Sequence, residues 1–115
     1  MESKNLIVVN LIVEGIHQWK DCDINEVEYL LSLHRHNFYI KVYKKVNHDD
    51  RDIEIIRFKK QIKNYLHQRF WDIELQLCNF GILSCEQIAN IILEKFDAYS
   101  VEVLEDNENG AIAII

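Results

Sequence analysis

Two stretches of apolar alternation, one ending and the other beginning in histidine, constrain this chain more than any other feature. In 5–17 the odd positions are Ile7, Val9, Leu11, Val13, Gly15 and His17. An apolar side chain at every second position marks a strand with one buried face. In 34–47 the even positions His34, His36, Phe38, Ile40 and Val42 share one face, while Arg35, Asn37, Tyr39, Lys41, Tyr43 and Lys45 take the other. If the two strands pair antiparallel through the connection 18–33, His17 arrives beside His34 and His36. Three neutral imidazoles with an open fourth position are the ligand set of a catalytic or ligand-binding zinc. An HxH pair by itself is also common as a structural feature of partly buried strands. The third histidine, at the complementary strand end, is what points to metal.

The remaining segments supply a cover for such a sheet. A helix is expected over 53–70, where Ile55, Phe58, Ile62, Tyr65 and Leu66 recur at helical spacing with Lys60, Lys63 and His67 opposite, so that His67 reads as a surface residue. The stretch 71–83 reads as a loop. A second helix is expected over 84–97: Ser84 followed by Gln87 is a capping box, and Ile88, Ile91, Ile92 and Phe96 form the apolar stripe behind it. A strand at 99–105, a turn from Asp106 to Gly110 and a strand at 111–115 complete a closing hairpin. The expected fold class is α+β, a ββααββ antiparallel sheet with two helices on one face, as a single domain over 1–115. Four strands leave two open edges, which invite self-association into a barrel or ring.

Composition narrows the function classes. A net charge of −6 argues against a nucleic-acid partner, and Arg57, Lys59, Lys60 and Lys63 read as the solvated face of a helix. No run of about 18 apolar residues is present, so no membrane partner is expected. The start is polar, and the alternating apolar run behind it lacks a small-residue cleavage site. Cys22, Cys78 and Cys85 are odd in number and show no CxxC spacing, which suits reduced thiols and a cytoplasmic setting.

Four segments, in order, carry a family resemblance: Val13-x-Gly15-x-His17, Leu33-His34-Arg35-His36-Asn37-Phe38, Ser84-Cys85-Glu86-Gln87-Ile88-Ala89 and Val101-Glu102-Val103-Leu104-Glu105. Together they resemble the 6-pyruvoyl-tetrahydropterin synthase and 6-carboxy-tetrahydropterin synthase family, whose motifs run FxAxH, LHGHNY, PTxENxA and a strand ending in Glu-Thr. The resemblance spans nearly the whole chain. It implies the tunnelling fold (T-fold), sheets from several copies closing a barrel, and a hexamer of two stacked trimers. It also implies Zn2+ held by His17, His34 and His36, a pterin ring anchored by Glu105, and Ser84, Cys85 and Glu86 near the same ring across a subunit boundary. From the residues alone, Glu105 continues the apolar side of Val101 and Val103 to a strand end. A carboxylate there needs donors, which the N–H and amino edge of a pterin or guanine would supply. A solvated strand-end carboxylate is the other reading the residues leave open.

The departures bear on chemistry. Leu30 stands where the family has its Cys, and Ile73 and Glu74 fall where it has an Asp-His pair; Arg35 replaces the Gly between the histidines and Leu83 a Pro. Leucine cannot move a proton, so the family's paired acid and base are missing. Cys22, in the connection beside the presumed metal, and Glu74, if burial raised its pKa, are the candidate catalytic replacements. The expected function is therefore a zinc-containing pocket that binds or sequesters a pterin or guanine nucleotide. The alternative is an active zinc-dependent lyase acting on dihydroneopterin triphosphate.

Overall fold

A computed structural model describes residues 4–115. The two alternating segments form β1, Leu6–His17, and β2, His34–Lys45, paired antiparallel along their whole length. His17 lies opposite His34, and Gly15 lies opposite His36. The connection between them carries a short 3₁₀ segment, Asn25–Leu31.

Helix α1, Ile55–Phe70, is opened by Glu54, whose carboxylate accepts the N–H groups of Ile56 and Arg57. Such a cap satisfies two of the first-turn donors that have no partner within the helix. Phe58, Ile62 and Leu66 of its stripe are buried and Tyr65 is half-buried, but Ile55, in the first turn, is exposed. His67 is half-buried rather than free on the surface, its ring 4.8 Å from that of Trp71. Helix α2, Cys85–Lys95, begins at Ser84 with the expected capping box: Ser84 Oγ accepts from Gln87 N and Gln87 Oε1 accepts from Ser84 N. It buries Ile88, Ala89, Ile92 and Leu93.

The sheet differs from the four-stranded antiparallel arrangement expected. The segment read as a loop contains β3, Trp71–Asp72, and β4, Leu77–Asn79; the closing hairpin is β5, Ser100–Glu105, and β6, Asn109–Ile114. The six strands are ordered β3-β4-β1-β2-β5-β6, and β4 runs parallel to β1 with Gly15 opposite Cys78 and Ile16 opposite Asn79. The sheet is therefore mixed. Strands of two and three residues are too short to show a period, and β4, with β3 paired to it, is held by β1 from far along the chain.

The core lies between one sheet face and the two helices. Val9, Leu11, Val13, Phe38, Ile40, Val42, Val101 and Val103 meet Phe58, Ile62, Leu66, Ile88 and Ile92, all buried. Val13, Phe38 and Glu105 lie in one row across β1, β2 and β5. At that row the apolar face gives way to polar side chains, and there the site is built.

Candidate metal centre

The alternation that buries Val13 and Phe38 carries His17, His34 and His36 to the end of the same face. The three rings sit edge to face, with centroids 4.6 Å apart for His17 and His34, 5.4 Å for His17 and His36, and 4.9 Å for His34 and His36. Phe38, fully buried, forms an apolar floor at 5.1 Å from His17 and 5.7 Å from His36.

Each ring has one nitrogen committed to the fold. His17 Nδ1 donates to the Leu83 carbonyl at 2.9 Å, His34 Nδ1 to the Ser32 carbonyl at 2.9 Å, and His36 Nδ1 to Asp106 Oδ2 at 2.7 Å. Carbonyl and carboxylate oxygens only accept, so each Nδ1 carries the proton. In a neutral ring each Nε2 is then a bare lone pair, the form that binds a metal. All three Nε2 atoms are buried and, while the rings are neutral, none makes a hydrogen bond; His17 Nε2 faces a carboxylate oxygen of Glu105. Buried polar atoms without partners are rare in folded proteins, and three imidazole nitrogens that converge in this way suit a metal ion.

Glu105 completes the cluster. Its Oε2 lies 2.8 Å from His17 Nε2 and its Oε1 3.6 Å from His36 Nε2, and one ligand atom from each of His17, His34, His36 and Glu105 falls within 4.8 Å of the others. The four residues form a group that could hold a metal ion. The donor set of three imidazoles and a carboxylate fits a divalent metal such as zinc. Oε2 also accepts the Cys85 thiol at 3.6 Å.

The electrostatics follow from this crowding. Burial, the largest single influence on His17, lowers its pKa, yet the Glu105 hydrogen-bonding oxygen, the Leu83 carbonyl and the Glu105 charge together raise it above the ordinary imidazole value. Contact with His17 holds the Glu105 carboxyl below its usual range against the opposing effect of burial. His34 is lowered, first by burial and then, against the Ser32 carbonyl, by charge on its two neighbours. Burial pushes the Cys85 thiol up to about 12, with the Glu105 charge adding to it.

A cleft of about 540 Å³ opens beside the cluster and brings together most of the residues singled out in the sequence. His17, His34, Ser84, Cys85, Glu86 and Glu105 all line it. The resemblance set Ser84, Cys85 and Glu86 across a subunit boundary; the chain's own fold already places them with Glu105. Trp19, Leu30 and Ile82 supply apolar wall, so Leu30 does stand at the site, with no proton to give.

The two candidate catalytic replacements are elsewhere in the chain. Cys22 turns its Sγ toward the carbonyls of Val27 at 3.7 Å and Ile24 at 3.9 Å, and it does not line the cleft. Glu74 is exposed in the turn joining β3 to β4, so the burial proposed for it is absent from the single chain. Asp106 was legible only as a turn residue. Nothing local signals that the residue after a strand will reach a histidine 70 positions away.

No family model matches the chain, and no curated protein of similar sequence is found.

Proposed function

We propose that the protein holds zinc through His17, His34 and His36 and uses the adjoining cleft to bind a pterin or a guanine nucleotide, sequestering it rather than turning it over. One observation carries the reading: three buried Nε2 atoms converge on one another and on a carboxylate beside a cleft with apolar walls. The metal would offer a coordination position to a ligand oxygen, while Glu105 would accept the adjacent N–H and amino groups of the ring edge. Trp19, Leu30 and Ile82 suit the faces of a flat heterocycle. Copies of the chain associate through sheet edges in the manner of the tunnelling fold, as the motif order of a tetrahydropterin synthase-like protein implies.

The loss of proton-handling groups favours binding over chemistry. Leucine faces the cleft where the resembled family has a thiol. One feature favours the second reading, a lyase acting on dihydroneopterin triphosphate. The Cys85 thiol keeps its proton and donates it toward Glu105 within the cleft, which is an acid and a base side by side.

Zinc-reconstituted protein is incubated with dihydroneopterin triphosphate and, in parallel, screened by thermal shift against pterins and GTP. The expected outcome is about one zinc per chain and a ligand-dependent rise in melting temperature without product. A ligand at about 100 times its dissociation constant adds roughly 2.7 kcal/mol of stability. Zinc below about half an equivalent would sink both readings. Turnover lost in Cys85→Ala would favour the lyase.

A further inference from the structure

Glu105 faces two demands that one carboxylate does not meet together. As a ring anchor it must offer both oxygens outward to a pair of N–H donors, whereas in the structure both oxygens point at the histidines. The 2.8 Å contact between Oε2 and His17 Nε2 has no hydrogen atom to explain it in the neutral ring, because the His17 proton is on Nδ1 and donated to Leu83. Two lone pairs at that distance repel unless a positive charge lies between or beside them, a proton on Nε2 in the metal-free protein or a metal ion in its place. The histidine cluster is also floored by Phe38, where low polarity makes such a repulsion costly and a compensating positive charge correspondingly effective.

We propose that Glu105 is the fourth metal ligand in the ligand-free protein, so that the resting site is closed by three imidazoles and a carboxylate, and a ligand reaches the metal only by displacing that carboxylate. The claim about the resting metal stands on the cluster alone; the claim about displacement rests on the ligand-pocket reading above. Release of Glu105 would free both its oxygens at the moment the ring edge arrives. The carboxylate then exchanges its contact with the cation for two charge-assisted hydrogen bonds. Ligand binding and metal coordination are thereby coupled through one side chain.

The experiment uses full-length protein loaded with Co2+, whose visible spectrum reports its ligands, and azide as a small probe of an open coordination position. Wild type is expected to respond weakly to azide. Glu105→Ala and the size-matched Glu105→Gln are expected to change the azide-free spectrum and to bind azide about tenfold more tightly, as for a site that is open about a tenth of the time in wild type. Identical spectra and azide affinities in wild type and variants would overturn the proposal. A crystal structure of zinc-loaded wild type tests it without any substitution. A Glu105 oxygen at about 2.0–2.2 Å from zinc is expected, and a water in that place with Glu105 turned away would overturn it. Addition of GTP separates the two readings. Stabilisation by GTP with an open resting site removes the fourth-ligand proposal and leaves the pocket; a closed site that no pterin or GTP perturbs keeps the fourth ligand and removes the displacement step and the pocket.

Discussion

Each histidine of the cluster spends one nitrogen on the fold and leaves the other for the site, and this division depends on three acceptors of different kinds. Two are backbone carbonyls, at Ser32 and Leu83, which no side-chain substitution removes. The third is Asp106, whose Oδ2 takes the His36 proton while its Oδ1 accepts from Asn37 N at 3.0 Å. A carboxylate behind a ligating imidazole fixes its tautomer and raises its basicity. Asp106→Ala should therefore weaken metal binding by about 10–100-fold in a chelator competition, with Asp106→Asn intermediate; equal affinities would show that the contact is only structural. A proton competes with metal for the same nitrogens. His17 is raised, so its pairing with Glu105 supports the metal-free fold fully below the ordinary value of 6.5 and is lost as pH rises through the higher folded value. Glu105 is lowered, so its share is present above 4.5 and is lost as pH falls through the lower folded value. The metal-free pair is at full strength between 4.5 and 6.5, and metal must displace the His17 proton there. Apparent zinc affinity should climb by up to about tenfold per pH unit through this region and level off only once pH passes the raised folded value of His17; a flat profile would exclude a protonated His17 in the metal-free protein. The three histidines were legible because alternation fixes which face they share. Their acceptors were not, since the carbonyl that holds His17 lies 66 residues away and leaves no side-chain signature.

At the scale of elements, the long strands, both helices and the capping box at Ser84 could be read from periodicity and local chemistry, whereas β4 could not. Its three residues make a parallel contact with the end of β1 just before His17, so the missed strand is one of the parts that hold the site in place. The contact also accounts for Gly15, which stands where the resembled family has alanine. A Cβ on Gly15 would lie 2.7 Å and 2.9 Å from ring atoms of Phe80 and 3.1 Å from the Cys78 carbonyl oxygen. Phe80 follows β4 and packs against Phe38 at 5.0 Å and Phe70 at 4.9 Å, so it has little room to retreat. Gly15→Ala should cost about 1–3 kcal/mol by overpacking, read from denaturant midpoints. Phe80→Leu in the same chain should return part of that loss, because the two positions share one contact. Strictly additive effects would mean that the clash is relieved elsewhere.

For the molecule as a whole, the helices cover one face of the sheet and leave the other as rows of mixed character. Ile12, Tyr39 and Leu104 align across β1, β2 and β5, and Val8, Tyr43, Ser100 and Ile114 align one row apart from the pair Lys41 and Glu102. Ile12, Ile112 and Ile114 are each more than half exposed, at 55%, 56% and 63%. Strand β6 is also the outer strand of the sheet, so Ile112 and Ile114 flank a row of backbone groups with no neighbour among the described residues. An edge of that kind favours pairing with another strand, and the opposite edge, β3, is available for a head-to-tail contact that could close a ring. Such a contact has a consequence for chemistry. Glu74 sits in the turn beside β3 and does not line the cleft, so in the ring proposed above any Glu74 at the metal would have to come from a neighbouring copy. Sedimentation should show a self-associated species, and Ile112→Lys with Ile114→Lys should shift it to monomer while leaving zinc content near wild type, because neither residue touches the cluster. If any turnover of dihydroneopterin triphosphate exists and depends on Glu74, it should disappear with the assembly. Turnover retained in the monomeric variant would place the proton transfer within one chain, at Cys85 and Glu105. A wild-type chain that sediments as a monomer at high concentration would overturn the edge-to-edge arrangement.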